Sequence, residues 1–269
     1  MKSSIIVTAM YGLNIKYNVT GYPWKYFTIL KIIQARCAEI NVTGTRYVIY
    51  TDVNTWKHFE KYIKQRGLVL PYTHEVIFLP LEELPEVSRP KDMCGLKLGW
   101  DIAKRSKPGA LGDLNQVWCN KLWFMKDAAS RYSCDNVVWI DCGHKNFQKY
   151  LGSKIPRFFK EMVRDTIYTN RYGADTIGGP RVRLPRKDRW KYAPTRGHIN
   201  PYNIKHRGCK YPHFIMGGSS GCTSDSIDGI YKLFKQANDT VAMECKCFDE
   251  ETVLSYMFIN DNRIKFERW

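Results

Sequence analysis

Residues Val137 to His144 read VVWIDCGH: four apolar side chains, then an acid, a thiol, a glycine and an imidazole. An unbroken apolar run of this length suits a strand covered on both faces. Such strands belong to parallel sheets, and ligands of parallel α/β sheets bind outside the strands' carboxyl ends. Asp141 stands at that end, with Gly143 permitting a sharp turn after it. A carboxylate so placed can hold a hard divalent ion, Mg²⁺ or Mn²⁺, against a diphosphate, and His144 can add a nitrogen ligand. The competing reading is an Asx turn or a helix cap.

Working toward the amino terminus, Trp118, Leu122, Met125 and Ala129 recur at helical steps, which predicts a helix over Asn115–Tyr132 leading into the strand. Earlier strands are expected at Ser4–Met10, Tyr47–Tyr50 and His74–Leu81. Helices between them are marked by Phe27, Leu30, Ile33 and Cys37, and by Trp56, Phe59 and Tyr62. The alternation predicts an α/β fold with a mostly parallel central sheet flanked by helices. Toward the carboxyl terminus, HFIMGGSSGC reads as a short strand or edge followed by a glycine-rich turn. Ile227, Ile230, Phe234 and Ala237 mark the next helix, and a last helix starts near Asp249. With neither repeat nor flexible linker, one domain over residues 1–269 is the simplest organisation.

The net charge of +16 is unevenly placed: Lys145 to Lys210 carries 17 Lys and Arg against 4 acids. That field favours sugar nucleotides, anionic headgroups or nucleic acid. A nucleic-acid-binding module, with Tyr150, Phe158, Tyr168, Tyr172 and Trp190 as stacking surfaces, is the less favoured alternative. No signal-peptide pattern and no apolar run of membrane length occurs, so a cytoplasmic protein is expected, with peripheral contact to an anionic membrane open to the basic stretch. The nine cysteines are scattered and read mostly as buried thiols, and no Cys-x-x-Cys pair suggests zinc. Asn-x-Thr triplets begin at Asn18, Asn41 and Asn238 and carry no weight without a secretory signal. Dinucleotide fingerprints, a Walker loop and His-Glu-x-x-His are all absent from the sequence.

Other candidates each have two readings. Lys121 either reaches a phosphate or is a solvated helix lysine. Asp52, closing the second strand, either accepts from a base or ribose or caps the following helix. Gly217 and Gly218 either let backbone approach a bound sugar or phosphate or form a tight turn. Tyr11 either offers an aromatic face to a ligand or joins the core. Asp249 is a good helix N-cap, and Glu250 and Glu251 suit a first turn.

Four segments together resemble the glycosyltransferases of the GT-A superfamily, and within it the bacterial HtrL/YibB (WlaTN-like) group: NQVWCNKLWFMKDA, VVWIDCGH, FIMGGSSG and FDEETVLSYMF. The resemblance implies a GT-A-like fold, with residues 1–144 binding a nucleotide-sugar donor and residues 145–269 forming the basic insertion and the acceptor and catalytic half. It implies transfer of a sugar from a nucleotide-diphosphate donor, UDP-linked, to a hydroxyl of a glycan or glycolipid, with inversion favoured; a sugar-binding or nucleotidyltransferase relative of the same fold is the alternative. Under it Thr8, Ala9, Met10 and Tyr11 lie where the base is held. Asp141 takes the place of the first aspartate of the Asp-x-Asp metal motif, and Asp249 or Glu250 that of the general base. Gly143 stands where the second aspartate would be, so the ion is held by Asp141 with His144, or cationic side chains replace it.

Overall fold

A computed structural model describes residues 3–13, 45–65, 67, 74–91, 108–141, 162–171, 211, 215–261, 263 and 265–268. The expected helix after Pro23, the turn Cys142–His144 and most of the basic stretch lie outside the described residues.

Strands β1 (Ser4–Met10), β2 (Thr45–Thr51), β3 (His74–Phe78), β4 (Asn136–Ile140), β5 (Thr166–Arg171), β6 (Ile215–Thr223) and β7 (Lys265–Arg268) form one sheet in the order β3-β2-β1-β4-β6-β5-β7. The expected class, α/β with a mostly parallel sheet and flanking helices, is the class observed. Pairings β1 with β2, β1 with β4, β2 with β3 and β5 with β7 are parallel, while β6 runs antiparallel to both β4 and β5. Every residue of β1 and β4 is buried, as expected of apolar strands in the sheet interior.

Helices are α1 (Val53–Gln65), α2 (Pro108–Cys119), α3 (Lys121–Arg131), α4 (Ile227–Glu244) and α5 (Glu250–Asn260). Helix α3 packs on β1 and β4, α5 on β6, and α4 on both helices. Tyr50, Phe124 and Trp139 fill the space between α3 and the sheet, with Phe124 and Trp139 stacked at 5.6 Å. Trp139 is 1% exposed, and truncating it to alanine would cost roughly 3–5 kcal/mol.

Two expectations are corrected. The helix expected over Asn115–Tyr132 is two, because the Asn120 side chain donates to the carbonyls of Gln116 (2.9 Å) and Pro85 (3.1 Å) and competes with the helical ladder. Lys121 consequently opens α3 instead of lying mid-helix. The segment expected as an edge and glycine turn is a nine-residue strand inside the sheet, with Gly217 and Gly218 within it. They fall where β6 leaves register with β5: Thr169 pairs with Ser220, but Asn170 pairs with Met216. Among the cysteines, Cys119, Cys222 and Cys247 are buried thiols and Cys134 a half-buried one, whereas Cys245 is disulfide-bonded. Strands β5 and β7 were not expected; β5 lies inside the basic stretch, and its buried run Thr166–Thr169 has threonines at both ends and only two larger apolar side chains, too few to mark a strand.

Candidate functional site

Four elements meet at the carboxyl end of β4. The backbone N–H of Asp141 donates to the Gly218 carbonyl at 2.9 Å, extending the β4–β6 ladder by one rung and holding the aspartate at the sheet's rim. Its Oδ1 accepts from the Trp139 indole Nε1 at 2.7 Å and lies 2.9 Å from Lys121 Nζ. Residues two apart on a strand share a face, so the Trp139 contact follows from strand geometry. The Asp141 side chain is 34% exposed, and among the described residues its Oδ2 has no partner.

Lys121 is the hub. Its ammonium also donates to Glu250 Oε1 at 2.5 Å and to the Gly217 carbonyl at 2.8 Å, so three acceptors match its three N–H donors. It is 5% exposed, which removes the solvated alternative and leaves no donor free for a phosphate without breaking one of these bonds. Burial opposes its charge, but Asp141 and Glu250 outweigh that and raise its pKa.

Gly217 serves this hub. A Cβ at this position would collide with Glu250 Oε1 and lie 3.1 Å from Glu251 Cγ. Its backbone N–H donates to Glu251 Oε1 at 2.8 Å while its carbonyl takes Lys121. The missing side chain admits the first turn of α5, the same turn that the sequence marks as acidic.

The other candidates divide clearly. Asp249 caps α5, its Oδ1 accepting from Thr252 N at 2.9 Å, and is 5% exposed. Glu250 is equally buried, and burial followed by the repulsion of Asp249 and Asp141, against the pull of Lys121, pushes its pKa up to about 7. Asp52 caps α1 through Thr55 N at 2.8 Å and the Thr55 hydroxyl. Thr8, Ala9 and Met10 are buried in β1, Thr8 donating to the Ile140 carbonyl at 2.6 Å. Tyr11 is partly exposed and donates to the Leu79 carbonyl at 3.1 Å. Thus Lys121, Asp141, Gly217, Gly218 and Glu250 converge, with Asp249 beside them, while Asp52 and Tyr11 lie on the rim of β1–β3. His144 lies outside the described residues. Trp139 joins the site without having been expected there, although its spacing from Asp141 was the available signal.

The described residues do not fit a bound divalent ion. Hard cations take six or more oxygens. Here one Asp141 oxygen is committed to an ammonium and an indole, and Glu250 is held on the far side of that ammonium. No group of three His, Cys, Asp or Glu placed to hold a metal ion occurs among the described residues. Nor, among them, is any helix long and apolar enough to cross a membrane.

The architecture is thus a mixed α/β sheet with a buried ionic cluster at the end of its central strand. No protein-family model matches the sequence, and no curated protein matches it. Among solved structures the fold is similar to mouse xyloside xylosyltransferase 1 in its apo form, at 10% identity and a TM-score of 0.46, over 99% of this chain and 85% of that one. It is also similar to CMP:2-keto-3-deoxy-manno-octonic acid synthetase complexed with CTP, at 10% identity and a TM-score of 0.39, over 99% and 90% of the two chains. Likeness at this distance leaves function to the side chains.

Proposed function

We propose that the protein is a GT-A-like glycosyltransferase that moves a sugar from a nucleotide-diphosphate donor, UDP-linked, to a hydroxyl of a glycan or glycolipid acceptor. The observation that supports this most is the carboxylate of Asp141. It is fixed at the rim of a parallel strand pair by a buried lysine and an indole, with its second oxygen turned to no described partner. Holding a side chain this firmly is the preorganisation that a ligand site requires. The narrower likeness to the HtrL/YibB group rests on the four sequence segments.

In this reading residues 1–144 bind the nucleotide sugar, and the outer oxygen of Asp141 accepts a hydrogen bond from a hydroxyl of the donor. Tyr11, at the end of β1, borders the base. Asp249 and Glu250, expected as proton acceptors, act instead by position: the first starts α5, and the second holds Lys121 against Asp141. Their burial keeps them from an acceptor hydroxyl, so a base drawn from this pair is not part of the reading. The positive charge of the basic stretch favours the anionic donor or an anionic lipid-linked acceptor.

Thermal denaturation against a panel of nucleoside diphosphates tests the reading. Saturating UDP should raise Tm by about 5–10 °C, since roughly 2.7 kcal/mol at a hundredfold excess over Kd shifts a chain of this size by about 2–4 °C per kcal/mol. Asp141→Asn should abolish that shift while unfolding cooperatively. Equal stabilisation by any polyanion, vanishing with salt, would point to nucleic-acid binding instead.

A further inference from the structure

We infer that Lys121 is a built-in cation that takes the position of a divalent metal ion, so that the site around Asp141 binds its ligand without one. This rests on the proposed donor-site role of Asp141 for its nucleotide arm only; the cation arm needs no donor.

Three features carry it. The ammonium bridges two carboxylates from different elements, Asp141 Oδ1 at 2.9 Å and Glu250 Oε1 at 2.5 Å, and adds the Gly217 carbonyl at 2.8 Å. Two carboxylates and a backbone carbonyl are the kind of oxygen ligands that a hard cation selects, water completing its shell where the ion itself is bound. Here a side chain of the same protein fills it, at 5% exposure. The site is also built around that occupant: Gly217 lacks the Cβ that would displace Glu250, and the break at Asn120 starts α3 at Lys121. Finally, the sequence has Gly143 where a second acid would complete an Asp-x-Asp pair. One internal positive charge meets one strand-end carboxylate, and the indole of Trp139 occupies that carboxylate's remaining approach on Oδ1.

Removing the lysine should therefore produce a gain of function. With Lys121→Gln, Asp141, Glu250 and the Gly217 carbonyl would be left as an open oxygen set for Mn²⁺.

Mn²⁺ binding is read by electron paramagnetic resonance on the full chain. Wild-type protein should show no Asp141-dependent binding at submillimolar Mn²⁺, K121Q should acquire it, and K121Q/D141N should lose it again. Lys121→Arg, which keeps the charge, should remain without it. Submillimolar binding by the wild type that disappears in D141N overturns the inference, as does a folded K121Q that gains no site. Should K121Q fail to fold, the wild-type and D141N comparison still decides.

In parallel, UDP affinity of the wild type, measured by titration calorimetry in EDTA and in Mn²⁺, should differ by less than about twofold. UDP binding that requires Mn²⁺ overturns the metal-free site and leaves the transferase reading standing. Absence of UDP binding under both conditions sinks the transferase reading, while the resonance measurement still judges the role of Lys121.

Discussion

Asp52 and Asp141 occupy equivalent places, each directly after a parallel strand, β2 and β4, at the same end of the sheet. Their fates differ because a cap-accepting helix start comes next in one case and a buried cation lies beneath in the other. Thr55 stands three residues after Asp52, and both Asp52 oxygens accept from it, through its N–H and its hydroxyl, to start α1. Asp141 caps no described helix; a buried ammonium and an indole take one of its oxygens. A strand-end aspartate is therefore open to a ligand only when no helix cap consumes it. The discriminating feature is a long-range partner that local spacing cannot reveal.

The largest effect expected from testing this contrast is at Lys121. Lys121→Met leaves the buried Glu250 carboxylate and the partly exposed Asp141 carboxylate without their counter-ion and should cost roughly 3 kcal/mol, read as a lower denaturation midpoint with unchanged slope. Adding Glu250→Gln should recover part of that loss, because one uncompensated charge is removed. A loss within about 0.5 kcal/mol, the range of ordinary surface substitutions, would show that the cluster contributes nothing.

Next comes pH. The Glu250 carboxyl is raised in the fold from an ordinary 4.5 to about 7. Between these values the folded state keeps a proton that the unfolded state has released, so stability should fall as pH rises through the window and level off above it. The slope attributable to this group reaches at most about 1.4 kcal/mol per pH unit. Glu250→Gln should flatten it, and stability profiles from denaturant melts across the window would show whether it does. An equal slope in the variant would place the titrating group elsewhere.

The intermediate effect, at Gly217, shows how much the sequence concealed. Strands β1 and β4 were legible because seven and five consecutive buried positions leave a continuous apolar run. Helix α4 was legible through Ile227, Ile230 and Phe234, all buried on one face. The glycine pair was seen but misplaced: Gly-Gly reads as a turn, whereas here it relaxes the interior strand β6 so that α5 can approach. Helix α5 itself is buried on most sides, so amphipathic periodicity says little about its orientation. The contacts of Lys121 with Gly217 and Glu250 span 96 and 129 residues, which no local pattern encodes. Gly217→Ala should cost about 1–3 kcal/mol through overpacking against Glu250. It should also weaken nucleotide stabilisation, since Lys121 and Asp141 would be displaced together; a variant as stable as the wild type would mean that α5 shifts freely.

The smallest effect belongs to the caps, and it separates the two aspartates most directly. Asp52→Ala should lower stability by about 1 kcal/mol, the ordinary value of an N-cap, and leave UDP stabilisation intact relative to its own melting point. Asp141→Asn keeps an oxygen for the indole and should alter stability less than Lys121→Met, yet it should remove the UDP response. Asp249→Ala, which deletes the cap accepting from Thr252, should resemble Asp52→Ala in size but reach the site, because it loosens the turn that carries Glu250. Its UDP response should therefore fall partway between the other two, measured by the same thermal titration. If Asp52→Ala instead abolished the response and Asp141→Asn spared it, the ligand would belong at the end of β2, and the buried lysine would be a support for the fold alone.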